Sequence, residues 1–106
     1  MEEFNVEKTR TQMRKGILEM CILSVIDKSK EAYVSDLIET MKNADMIVVE
    51  GTLYPLLTRL KNSGLLNYQW KESPTGPPRK YYVLTDSGKL FLSETLKAWS
   101  ELQTMI

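Results

Sequence analysis

The spacing of apolar residues divides the chain into segments of different period. Over residues 11–27, Met13, Ile17, Met20, Cys21 and Ser24 form one stripe, and Leu18, Ile22, Val25 and Ile26 form a second beside it. That predicts a helix whose wide apolar surface is covered on two sides. Residues 28–33 are polar and turn-like. Ser35 or a neighbour then opens a short helix to about Asn43, with Val34, Leu37, Ile38 and Met41 spaced for one face. Met46-Ile47-Val48-Val49 is short and β-branched, and reads as a brief strand or as the tight approach to the next helix. From about Glu50 to Ser63 the helical period returns, with Leu53, Leu56, Leu57 and Leu60 at i, i+3, i+4 and i+7 facing a core. Pro55 falls in the first turns, where a missing N–H is tolerable, and Gly64 is a natural stop.

The period then shortens. Leu65 to Lys71 and Arg79 to Leu84 are strand-like runs on either side of a Ser73-Pro74-Thr75-Gly76-Pro77-Pro78 break, which predicts a β-hairpin with a stiffened tip. Thr85 can cap a last helix from Asp86 to about Ile106, with Gly88 where a capping box would place Glu. The predicted order is helix, helix, an optional short strand, helix, hairpin, helix.

Composition sets bounds on this picture. With 106 residues the chain reads as a single domain, 1–106, of which about 11–85 form the helix and hairpin unit and about 86–106 the last helix. No apolar run approaches the roughly 18 residues of a membrane span. The acidic opening Met1-Glu2-Glu3-Phe4-Asn5 is unlike a signal peptide. One cysteine, Cys21, in an apolar run reads as a buried thiol in a reducing compartment, hence a cytoplasmic protein. With no histidine and one cysteine, ordinary zinc sites and His-based catalysis have no ligands. The glycines are too scattered to cradle phosphates. An enzyme, a catalytic site, a metal and a cofactor are therefore not expected.

Net charge is zero, but its distribution is uneven. Residues 51–85 carry a net charge of +4, and residues 27–50 carry −3. Phosphates respond to the local patch rather than to the sum. Three helices followed by a hairpin give an α+β, mostly helical chain of winged helix-turn-helix order, with a further helix at its C-terminus. Burying the leucines of 50–63 leaves Thr52, Pro55, Thr58, Arg59 and Asn62 on other faces, with Tyr54 and Lys61 flanking. A helix of this kind fits a major groove, while Arg79 and Lys80 at the hairpin neutralise phosphates.

The blocks Gly51-Thr52-Leu53-Tyr54-Pro55-Leu56-Leu57-Thr58-Arg59-Leu60, Ser63-Gly64-Leu65-Leu66 and Gly76-Pro77-Pro78-Arg79-Lys80-Tyr81-Tyr82-Val83-Leu84-Thr85-Asp86-Ser87-Gly88 resemble the PadR family of bacterial transcriptional regulators. The resemblance spans roughly Lys15 to Leu102 and implies a homodimeric repressor of the small subgroup that ends in one helix. It implies DNA contacts from Thr52, Tyr54, Thr58 and Lys61 in the recognition helix, and from Gly76, Arg79, Lys80 and Tyr82 in the wing. Ser35 is a further candidate for a phosphate contact. The chain departs from the family where Tyr33-Val34-Ser35-Asp36 replaces a frequent Tyr-Gly. It departs again where Val49-Glu50 replaces the usual Ser-Pro helix opening, since Val49 is a poor N-cap and Glu50 brings negative charge towards DNA.

The last helix carries Phe91, Leu92, Leu96, Trp99, Leu102 and Ile106, more apolar surface than one small chain covers. A second subunit is its expected partner. A two-fold dimer would set two recognition helices roughly 34 Å apart over an inverted-repeat, double-stranded DNA operator. By resemblance to multidrug-responsive members, Met13, Met20, Ser24, Leu92, Thr95, Trp99 and Gln103 would line a channel at the dimer centre. There paired tryptophans could sandwich a planar hydrophobic effector, although Trp99 serves equally well as dimer core. Trp70, at the hairpin, is expected to pack in the core or at a hinge. A winged-helix protein-interaction module that binds no DNA is the competing class.

Overall fold

The computed structural model describes residues 4–106; the acidic opening at Met1, Glu2 and Glu3 lies outside the described residues. Its elements are α1 (Val6–Ser29), α2 (Val34–Asn43), α3 (Glu50–Asn62), β1 (Leu66–Ser73), β2 (Gly76–Leu84) and α4 (Asp86–Met105). This is the winged helix-turn-helix order, α+β and mostly helical, continued by a fourth helix.

The differences from expectation lie at the element ends. Helix α1 begins at Val6 rather than near residue 11, because the Asn5 side chain accepts from the N–H groups of Glu7 (3.0 Å) and Lys8 (3.2 Å). Its first turns are polar, so no apolar period announces them; the cap does. Leu23, outside both stripes read from the sequence, is fully buried together with Ile22 and Ile26. Met46 to Val49 form no strand. Instead α2 ends in a Schellman motif, with Asp45 at φ 61°, Asp45 N–H bonded to the Lys42 carbonyl and Met46 N–H to that of Met41. Helix α3 ends in the same way through Gly64 at φ 82°, with Leu65 N–H on the Leu60 carbonyl. Gly64 meets a conformational demand there that a β-carbon would strain.

The hairpin turns tightly at Pro74-Thr75, and Gly76, Pro77 and Pro78 belong to the strand rather than to the break. Ser73 pairs with Gly76 and Lys71 with Arg79, so Glu72 bulges opposite the two prolines. Proline has no N–H to give a ladder, which is why the irregularity falls there. On the other side of β2, Ala32 and Tyr82 exchange backbone hydrogen bonds of 3.1 and 2.9 Å. The link between α1 and α2 is thereby sewn to the hairpin as the beginning of a third strand.

The core gathers Ile22, Leu23 and Ile26 of α1, Leu37 and Met41 of α2, Leu53, Leu57 and Leu60 of α3, and Leu66 and Tyr82 of the hairpin. Thr85 joins the hairpin to α4. Its hydroxyl donates to the Gly64 carbonyl (2.6 Å) and accepts from Gly88 N–H (2.9 Å), and its own N–H reaches the Leu65 carbonyl (3.1 Å). Gly88 is needed because a β-carbon there would lie 2.0 Å from the Leu65 carbonyl oxygen. Helix α4 is the least covered element, with Leu90, Phe91, Leu96, Leu102 and Met105 exposed, as is Ile106 just beyond its end. The radius of gyration is 15.5 Å, against roughly 13 Å for a compact chain of this length. An elongated chain with an uncovered apolar helix has unfinished burial.

Candidate nucleic-acid interface

Helix α3 turns by about 100° per residue, so burying Leu53, Leu57 and Leu60 aims Gly51, Pro55, Thr58 and Asn62 outward. Its two flanks meet different neighbours. On one flank Thr52 and Arg59 border a cleft against Lys15 and Glu19 of α1, and Arg59 is ion-paired with Glu19. On the other flank Tyr54 looks across a cleft of about 250 Å³ to Trp70, Pro78, Arg79 and Lys80 of the hairpin, with Ser35 and Glu50 on its remaining sides. Two turns further along, Lys61 Nζ sits 5.5 Å from the centre of the Tyr68 ring, and Lys80 Nζ lies 4.4 Å from the same ring. Tyr68 therefore carries a cation from the recognition helix and a cation from the wing.

The nine expected DNA-facing residues divide accordingly. Tyr54, Thr58 and Lys61 continue into Lys80 and Arg79 as one surface, and Ser35 joins it by accepting a hydrogen bond from Arg79 Nη2 at 3.1 Å. Thr52 stands on the α1 side of the helix, away from the wing. Gly76 is exposed beside the turn, with open space where a β-carbon would be, so nothing steric requires glycine there. Tyr82 does not belong to the surface. It is 3% exposed, and desolvation pushes its phenol above the ordinary tyrosine range. Strand alternation puts Tyr82 on the face with Leu66 and Tyr68, and its neighbour Tyr81 on the opposite face.

Sequence reasoning missed three aromatic residues. Tyr33 lies under Arg79, with the guanidinium carbon 3.7 Å from its ring centre. Tyr68 links the two lysines. Trp70, expected in the core or at a hinge, is 63% exposed with Lys80 beside it at 5.4 Å. Parity along β1 points Trp70 the same way as Leu66, but the strand outruns the core by that residue. Interleaved cations and aromatic rings were the available signal.

Between α1, α2 and α4, Met20, Ser24 and Trp99 border an apolar groove of about 400 Å³, together with Cys21, Val25, Met41 and Leu96. Met13, Leu92, Thr95 and Gln103, expected with them along a channel between two subunits, do not border this groove of the single chain. Leu92 is turned into the chain's own core at 4% exposure, one helical turn from Gly88, and Met13 stands exposed on α1. Burial pushes the Cys21 thiol above its usual range. The groove has Lys28 at its edge and, among the described residues, no carboxylate, so it offers a cation hydroxyl, aromatic and sulfur groups but no opposite charge.

The model of the PadR-like transcriptional regulator family matches residues 22–94, which takes in the end of α1, all of α2, α3 and the hairpin, and the start of α4. The chain belongs to the PadR-like family. A PadR-like transcription factor from Bacteroides fragilis is 56% identical, with a TM-score of 0.78 over 92% of this chain and 94% of that one. A PadR family regulator from Eggerthella lenta is 33% identical, with a TM-score of 0.83 over 93% of this chain and 86% of that one. A PadR-like regulator from Bacillus cereus is 40% identical, with a TM-score of 0.79 over 89% of this chain and 91% of that one. An uncharacterized protein of Lysinibacillus sphaericus is 32% identical over 99 residues, 92% of this chain and 91% of its own length. As a PadR-like transcriptional regulator the chain is a DNA-binding protein and not an enzyme. Among the described residues no group of His, Cys, Asp and Glu is arranged to hold a metal, and no helix is long and apolar enough to cross a membrane.

Proposed function

We propose that this PadR-like regulator is a homodimeric repressor, acting in the cytoplasm, that grips an inverted-repeat operator with α3 and the hairpin wing. In this reading residues 11–85 are the DNA-binding unit and 86–106 the dimerisation helix of one domain. The observation that carries it is the surface running from Tyr54, Thr58 and Lys61 into Lys80 and Arg79, bridged by Tyr68 between two lysines. Thr58 and Tyr54 stand where base edges would lie, while Lys61, Arg79, Lys80 and Ser35 serve phosphates. Thr52 contributes at most from the rim, and Gly76 through its backbone. The uncovered apolar face of α4 supports the second subunit, because exposed apolar area costs about 25 cal/mol per Å². The groove bordered by Met20, Ser24 and Trp99 supports a planar hydrophobic effector, with Lys28 favouring a neutral or anionic one over a cation.

Titration of a duplex carrying the upstream region of its own gene, read by fluorescence anisotropy at several salt concentrations, tests the reading. The expected result is binding that weakens steeply with salt and loses about one unit of log–log slope for each of Arg79→Ala and Lys80→Ala. Unchanged affinity in both variants would remove the wing from the interface. A monomer at micromolar concentration in light scattering would contradict the dimer.

A further inference from the structure

The connection between α1 and α2, together with the first residues of α2, touches the wing at four of five consecutive positions. Glu31 pairs with Lys71, Ala32 shares its backbone hydrogen bonds with Tyr82, Tyr33 stacks on Tyr81 at 3.6 Å between ring centres, and Ser35 accepts from Arg79. Tyr33 is the centre of this staple. Its ring carries Tyr81 and the Arg79 guanidinium, and its backbone N–H is held by the Asp36 carboxylate at 3.1 Å. Lys71, which pairs with Arg79 across the ladder, lies 4.7 Å from the Tyr81 ring. The cation at the wing is therefore set by residues outside the wing.

An exposed arginine is ordinarily mobile, and fixing it on a ligand forfeits rotamer freedom. Here the guanidinium plane is already laid against an aromatic face, and one of its N–H groups is committed to Ser35. Arg79 makes no ion pair among the described residues, although Glu50 lines the same cleft. Its other N–H donors remain open beside Lys80. We infer that Tyr33 is a positioning residue for DNA binding: it contributes no direct contact, but holds the Arg79 guanidinium in the orientation that meets a backbone phosphate. The inference rests on the DNA-binding reading of the wing given above.

A double-mutant cycle on the full chain tests it, with anisotropy on the upstream duplex as the readout. Tyr33→Ala is expected to weaken binding about 5- to 30-fold, the range of a partly desolvated cation–π contact. It is also expected to lower the salt slope by about one, as Arg79→Ala does. Tyr33→Phe keeps the ring face and should bind within about twofold of wild type. In an Arg79→Ala background, Tyr33→Ala should cost no more than about twofold further. Equal losses from Tyr33→Ala with and without Arg79 would overturn the inference, as would a salt slope that Tyr33→Ala leaves unchanged. Tyr33→Leu, which keeps apolar cover on the hairpin without a π-face, guards against loss of fold. Wild-type affinity in a folded Tyr33→Leu protein would also refute the role. Wild-type protein that binds no duplex removes the underlying reading, a result distinct from additive losses in a protein that does bind.

Discussion

Gly88→Ala is expected to destabilise the protein, although alanine is the better helix former. In an unconstrained helix interior the exchange favours alanine by about 0.8–1 kcal/mol. Here the new β-carbon would meet the Leu65 carbonyl oxygen at 2.0 Å, with the Leu65 carbonyl carbon and Cα at 3.0 and 3.4 Å behind it. The obstacle is backbone, so no side chain can swing aside. Helix α4 would have to retreat from the base of the wing by roughly an ångström, the scale at which overpacking costs about 1–3 kcal/mol. That retreat opposes the Thr85 N–H bond to Leu65, the Thr85 hydroxyl bond to Gly64 and the helix cap on Gly88, and a lost cap costs about 1 kcal/mol. Set against the propensity gain, the net loss is about 2 kcal/mol, or roughly 10 °C in melting temperature. Thermal melts by circular dichroism at matched concentration measure it, with Gly51→Ala as the control, since nothing lies within 4 Å of a β-carbon there. A Gly88→Ala protein melting at or above the wild type would refute the steric reasoning.

Leu57→Ala removes a fully buried side chain from the core face of the recognition helix and should cost about 2–5 kcal/mol, measured by urea unfolding. Trp99→Ala should abolish the quenching of tryptophan emission by a flat hydrophobic dye, leaving the emission of exposed Trp70 unaffected; equal quenching in both proteins would count against the groove as an effector site. Tyr81 is pushed up to about 12, chiefly by its hydrogen bond with Tyr33, so an absorbance titration should show its phenol, together with the buried Tyr82, ionising after the ordinary value of 10. A folded-state value raised above the unfolded one stabilises the fold below the unfolded value. That contribution declines as pH rises from 10 towards 12, and Tyr33→Phe should bring the Tyr81 phenol back towards 10 while leaving Tyr82 raised.

The amphipathic leucines of α3, the Gly64 stop, the hairpin and the Thr85 cap were all legible in the sequence, because each depends on spacing within a few residues or on one residue's backbone conformation. The positive patch of residues 51–85 was legible for the same reason. Three-dimensional placement decided the rest. Tyr81 and Tyr82 are equivalent as letters, and only the register of β2 against β1 and Ala32 sends Tyr82 inward and Tyr81 to Tyr33. Thr52 and Tyr54 sit in one motif, yet helix rotation gives the first to α1 and the second to the wing. Leu92 was an expected channel residue until the close approach of Gly88 to Leu65 fixed the roll of α4 and turned it into the core. Local pattern determines which elements form and where they end, since those energies are local. Which side chains meet across elements follows from how the elements dock, and that was settled by contacts such as Tyr33 on Arg79, separated by more than forty residues of chain.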